Sequence, residues 1–189
     1  MNYQKRNSVN GYNYIYGNRG MGLEDDINNS NNYYMVTEKA IIYKKPTPIT
    51  INKVEYKSRT DAVIREAYFK VPSTTDYNGI YKGKYIDFEA KETKSKTSFP
   101  LSNIHTHQIK HLESITKLGG IGFIIVRFST LNRTYYLNCQ SLLNFISTGK
   151  RKSIPIDYFE KNGYLIKEGL RPRLDYLKVI DKELGDINE

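Results

Sequence analysis

The sequence predicts an α/β protein with a mixed central β-sheet flanked by helices. Three observations carry that expectation. A continuous apolar run of strand length, IGFIIVRF at 121–128, demands cover on both faces and so belongs in the middle of a sheet. Ahead of it lies a pair of alternating segments, TDYNGIYKGKYIDFEAKET, with the look of a hairpin. Segments of helical period stand before, between and after these strands.

Residues 1–20 are rich in Asn, Tyr and Gly without periodicity. They read as a flexible basic arm, with Arg19 available to a phosphate. Residues 21–189 are expected to form a single domain. Its first helix runs from Leu23 to about Asn32, with Leu23 and Ile27 four apart on one face. Strand-like alternation over Ala40 to Tyr43 meets KKPTP, where Pro46 and Pro48 stop regular pairing and Lys44 and Lys45 add charge. Ile49 to Phe69 reads as extended or mixed and carries Lys57, Arg59 and Arg65. After the hairpin, the polar loop TKSKTS adds Lys94 and Lys96, which join Lys44, Lys45, Lys57, Arg59 and Arg65 as basic groups expected to face nucleic-acid phosphates. Asn103 is placed to cap a helix from Ile104 to about Leu118, closed by Gly119-Gly120. TYYLNC at 134–139 follows the apolar run as a neighbouring strand. Helical segments SLLNFIS, IDYFEKNG and RLDYLKVIDKEL close the chain, with Leu174, Leu177 and Leu184 as the last apolar face.

Composition narrows the function classes. The 29 basic against 20 acidic residues leave a net charge of +9, which suits a polyanionic partner. An apolar fraction of 39% is enough for a core and excludes global disorder. No run of about 18 apolar residues exists, so no membrane partner is expected. The N-terminal stretch lacks the apolar core of a signal peptide. The single cysteine, Cys139, excludes an internal disulfide framework, fits a reducing cytoplasm and reads as a small buried hydrophobe.

The hairpin carries the chemistry. In Tyr85 to Lys91, Ile86, Phe88 and Ala90 form one apolar face, so Asp87, Glu89 and Lys91 share the other. A two-residue turn at Lys82-Gly83 places Asp76 opposite Glu89. Asn78-Gly79 is the rival turn dipeptide, and centring the turn there separates the two acids. Facing carboxylates repel, and they survive together with a cation or a raised pKa. A hard divalent ion with oxygen ligands meets that need, and Lys91 is placed to stabilise developing negative charge. The bland alternative is a solvated face of scattered charges. Gln108 interrupts the apolar stripe of Ile104, Leu112 and Ile115, so this amide needs partners or a role beside a metal. His105, His107 and His111 lack the cysteines or glutamate of a zinc motif.

These residues resemble the signature of the RecU family of Holliday-junction resolvases, within the PD-(D/E)XK nuclease superfamily. PSTTDYNGIYKGKYIDFEAKETKSKTSFPLSNIHTHQ carries the likeness, with GNRGMGLEDDI, KKPTPI, EAYF and RPRLDYL in support, from Gly17 to about Lys182. The resemblance implies a restriction-endonuclease-like core that works as a homodimer, with a stalk inserted at about 44–70. It implies metal ligation by Thr74, Asp76, Glu89 and Gln108, with Lys91 as the transition-state stabiliser. Glu24 matches a family acid near the site, and Asp87 is a secondary candidate. Mg²⁺ is the implied cofactor, with Mn²⁺ as the alternative. Four-way junction DNA is the implied substrate, and RecA and branch-migration proteins are implied partners in a bacterial cytoplasm, at the nucleoid. The rival from another class is a non-catalytic protein that binds junctions or modulates a recombinase.

Overall fold

A computed structural model describes residues 22–56, 62–70 and 74–186. Its centre is a six-stranded mixed sheet in the order β1-β4-β5-β7-β8-β10. The strands are β1 (Ala40–Lys44), β4 (Tyr77–Tyr81), β5 (Lys84–Thr93), β7 (Ile121–Phe128), β8 (Arg133–Asn138) and β10 (Tyr164–Ile166). β5 and β7 are parallel, and the other neighbours are antiparallel. The apolar run at 121–128 does lie inside the sheet, between β5 and β8.

Each face of the sheet has its own core. On one, Tyr77, Ile86, Phe88, Phe123, Ile125 and Tyr136 pack with α1 (Leu23–Val36) and α5 (Tyr176–Asp186). There Tyr77 stacks on Phe88 at 4.8 Å between ring centroids, and Phe88 on Phe123 at 4.7 Å. This column fixes the alignment of three strands from the side opposite the acids. On the other face, Ile124, Val126, Tyr135 and Leu137 pack with α2 (Thr106–Lys117), α3 (Cys139–Ser147) and α4 (Ile156–Asn162). Cys139 is buried there, and burial pushes its thiol pKa up.

Several expected boundaries move for identifiable reasons. α1 continues four residues past Asn32, because Tyr34 is buried against Tyr176 and its hydroxyl donates to the carbonyl of Leu174 at 3.0 Å. Tertiary packing holds a last turn that an Asn-rich sequence does not favour alone. Asn103 is not the cap of α2. Residues Leu101–Asn103 form a 3₁₀ turn, and the Gln108 Oε1 accepts the His105 N–H at 2.9 Å, so the helix starts at Thr106. α5 begins at Tyr176, with Leu174 buried just ahead of it in a bridge to Glu168. Arg127, the one charge in the apolar run, pairs with buried Asp26 at 2.6 Å.

The segment 49–69 resolves into β2 (Ile49–Glu55) and β3 (Val63–Phe69), a separate antiparallel ribbon. Most residues on both of its faces are exposed, including Ile51, Ile64, Tyr68 and Phe69. A third pairing, β6 (Ser98–Pro100) with β9 (Ser153–Pro155), is too short to leave a periodic signal. Among the described residues no helix is long and apolar enough to cross a membrane.

Candidate active site

The turn that sets the site is Lys82-Gly83. Both residues have positive φ, 48° and 74°, and Tyr81 pairs with Lys84 across them. Gly79, in the rival turn dipeptide, is a mid-strand residue. A Cβ there would lie 2.1 Å from the Ile41 carbonyl oxygen, so glycine is what lets β1 pack against β4.

From this turn the ladder runs back to Tyr77 opposite Phe88. Asp76 is the next residue out, facing Glu89. Its N–H donates to Glu89 Oε2 at 3.1 Å, and its own Oδ2 accepts the Ala90 N–H at 3.4 Å. The Lys91 ammonium forms an ion pair with Glu89 Oε1. Glu89 is fully buried, which overturns the picture of a solvated charged face. Burial first, and then the Asp76 charge, push its pKa from the ordinary 4.5 to about 7, against the pull of Lys91. A cleft of about 140 Å³ opens beside the pair, lined by Leu23, Glu24, Asp76, Tyr77, Lys91 and Glu92 among others. The α1 N-terminus is fastened at this cleft by the Leu23 N–H, which donates to Glu92 Oε2 at 3.3 Å.

α2 completes the wall. It joins two parallel strands, so it runs back along them. Gly122 lets it come close, since a Cβ there would lie 2.9 Å from the Leu112 carbonyl oxygen. His111 Nε2 lies 3.2 Å from Asp87 Oδ2. Buried Gln108 stands in the first turn of α2, three residues before His111, with its Oε1 accepting the His105 N–H at 2.9 Å. Among the described residues no group of three His, Cys, Asp or Glu side chains is arranged to hold a metal. An ion between Asp76 and Glu89 would draw its other ligands from neutral oxygens. Two carboxylates completed by hydroxyl, amide or water oxygens suit a hard divalent cation.

The family described as Recombination protein U matches residues 18–182. This chain belongs to that family. A relative named Holliday junction resolvase RecU, from Geobacillus sp. (strain WCH70), is 53% identical over 95% of this chain and 90% of its own length. Another of the same name, from Geobacillus kaustophilus (strain HTA426), is 56% identical over 88% of this chain and 84% of its own. A third, from Bacillus cereus (strain B4264), is 51% identical over 89% and 86%. A solved structure of Archaeoglobus fulgidus Hjc, a Holliday junction resolvase, is 15% identical with a TM-score of 0.37, over 54% of this chain and 79% of that one. At that distance it bears on neither fold nor function.

Within this family member the other expected site residues stand in different settings. Thr74 is half-buried, two residues before Asp76. Glu24 is exposed at the cleft and pairs with Lys44. Lys94 and Lys96 are exposed, and so is Arg65, which pairs with Glu55 at 2.8 Å. Arg19, Lys57 and Arg59 lie outside the described residues.

Lys45 and Asp87 differ most from expectation. Lys45 was expected to face a phosphate, yet its ammonium is turned inward, 2.8 Å from Asp87 Oδ2 and 3.0 Å from Thr75 Oγ1. A buried carboxylate draws in a cation wherever one can reach it. Asp87 is fully buried and also accepts from the hydroxyls of Thr75 and Tyr85. Its oxygens are thus engaged by the protein's own donors. The sequence reading passes over Thr75 and Tyr85 and considers His111 only against a zinc motif. Tyr85 at two residues from Asp87 on the same strand face was the one signal available.

Proposed function

We propose that this chain is a structure-selective endonuclease that resolves four-way DNA junctions by metal-dependent hydrolysis of a phosphodiester. The observation that carries the reading is the convergence of Asp76, Glu89 and Lys91 on one end of the hairpin, in a member of the Recombination protein U family.

Asp76 and Glu89 are the anionic ligands, with Thr74 and Gln108 as neutral oxygen donors. These residues would hold a divalent cation, Mg²⁺ by the family likeness, which would supply polarisation of the phosphoryl oxygen and a lowered pKa for an attacking water. Glu89 would have to be ionised to serve as such a ligand, since a ligating carboxylate gives up its proton. Lys91 lines the cleft with its ammonium partly exposed, which puts a fixed positive charge where non-bridging oxygens gain negative charge. Glu24 lines the same cleft and is paired with Lys44.

The β2–β3 ribbon is the proposed stalk. Tyr56, Tyr68 and Phe69 are 72%, 58% and 83% exposed, an apolar surface suited to sugars and unstacked bases at a junction centre. Resolution needs two incisions in strands of like polarity, which a two-fold homodimer supplies. By the same family likeness we infer a cytoplasmic protein that acts at the nucleoid, with RecA and branch-migration proteins as proposed partners.

The test is cleavage of a synthetic four-way junction labelled on one strand at a time, with Mg²⁺ or a chelator, beside a linear duplex of the same sequence. Paired symmetric incisions that need the metal and spare the duplex support the reading. Binding without any incision at all would return the protein to the non-catalytic class.

A further inference from the structure

We propose that Lys45 is a positioning residue. It fastens both roots of the β2–β3 ribbon to the catalytic strand through Asp87, and so sets where Asp76 stands against Glu89. The proposal rests on the reading of Asp76 and Glu89 as the metal-binding pair.

Lys45 is the first residue after β1 and stands immediately before Pro46, where the chain leaves for the ribbon. It is bound at both ends. Its backbone N–H donates to the carbonyl of Asp76 at 2.8 Å, and its ammonium reaches Asp87 and Thr75. Thr75 belongs to the returning leg, directly ahead of Asp76, and its hydroxyl donates to Asp87. The outgoing and returning legs therefore meet on one buried carboxylate, and the Lys70 N–H bonded to Pro48 O at 2.9 Å clips them together further out. Tyr85 from β5 at 2.9 Å and His111 from α2 at 3.2 Å hold Asp87 from the core side.

The arrangement has a mechanical consequence. Asp76 lies just beyond the last ladder pair of β4, Tyr77 with Phe88, so strand pairing alone does not fix it. Its carbonyl is held by Lys45, and the residue before it is held by Asp87. Loss of the Lys45–Asp87 bond frees Asp76 to move relative to Glu89, and small displacements of catalytic groups cost rate steeply. With its side chain only 19% exposed and its ammonium committed, Lys45 is poorly placed to neutralise a phosphate.

The experiment compares full-length Lys45→Met, Asp87→Asn and the double variant with the wild type. It measures kcat and KM on a four-way junction, the Mg²⁺ concentration for half-maximal rate, and junction affinity in chelator at several salt concentrations. Each single variant is expected to lose about 10- to 100-fold in kcat and to need about tenfold more Mg²⁺, the usual cost of disturbing groups that orient a metal ligand. Junction affinity and its salt dependence should stay as in the wild type. The double variant should be no worse than the poorer single one, because both changes break one contact.

Three results overturn the proposal. One is a Lys45→Met protein that binds junctions more weakly, with a salt slope smaller by about 1, while Asp87→Asn acts normally; that is a phosphate contact. Another is a lowered melting temperature with unchanged kcat and Mg²⁺ requirement, which marks a purely structural bond. The third is strictly additive losses. If Lys45→Met does not fold, Lys45→Gln, which keeps a polar group at the site, carries the same comparison. Asp76→Asn and Glu89→Gln controls separate the two levels. If they cut at the wild-type rate, the site reading itself fails; if they are inactive while the Lys45 and Asp87 variants cut normally, only the positioning role fails.

Discussion

Glu89 is where burial, charge and function meet. A carboxylate with no exposed surface and an acid opposite it holds its proton up to about pH 7. The linkage has a definite sign. Between about 4.5 and 7 the folded, metal-free protein binds a proton at this position that the unfolded chain has released, so this group's stabilising contribution is full below about 4.5 and is lost as pH rises toward 7. Glu89→Gln removes the titration and keeps the shape. In chemical unfolding with chelator present, the variant is therefore expected to gain on the wild type as pH climbs from about 4.5 to 7, then to run parallel. Parallel curves across the whole range would show that Glu89 is not perturbed. Added divalent cation should restore the wild type at high pH, since binding to the folded state alone stabilises it.

At the scale of elements, register is what assembles the pair. The Lys82-Gly83 turn, the aromatic column of Tyr77, Phe88 and Phe123, and the close approach at Gly79 all specify the same alignment. Gly79→Ala drives a Cβ into the backbone of Ile41 and should cost roughly 3 kcal/mol, near the top of the range for overpacking. Gly83→Ala meets no neighbouring atom and should cost only the left-handed backbone penalty of roughly 1–2 kcal/mol. Urea unfolding of both proteins measures the difference; a larger loss at Gly83 than at Gly79 would contradict the packing role. The same elements show what was legible beforehand. Strand alternation brings Asp76 to Glu89 once the turn is set at Lys82-Gly83, but turn statistics alone favour Asn78-Gly79, which the close approach of β1 holds in mid-strand. The setting of Asp87 was not legible, since Lys45 is 42 and His111 24 residues away and no periodic pattern links them. The helix cap moved for a similar reason: Asn103 has the right chemistry, but its backbone is taken by a 3₁₀ turn whose existence depends on the β6–β9 pairing beside it. Like chemistry at Asp87 and Glu89 also leaves their roles open in a bare sequence, and the proposed division into structural anchor and metal ligand rests on their different partners.

For the whole molecule, charge and shape divide the work of recognition. A surplus of nine positive charges suits affinity for any DNA, and the exposed ribbon is the element proposed to discriminate among shapes. Junction binding should therefore weaken steeply with salt. A slope of log affinity against log salt of roughly −4 or steeper is expected, about −0.9 for each phosphate neutralised. A slope near −1 would mean that the basic surface is not the binding surface. The measurement that bears most directly on the whole reading is the Mg²⁺ dependence of junction cleavage by Asp76→Asn and Glu89→Gln proteins beside the wild type, with junction binding followed in parallel. Both variants should still bind the junction while their cleavage falls by a factor on the order of 10³ at every Mg²⁺ concentration. Cleavage at the wild-type rate by either one would contradict it.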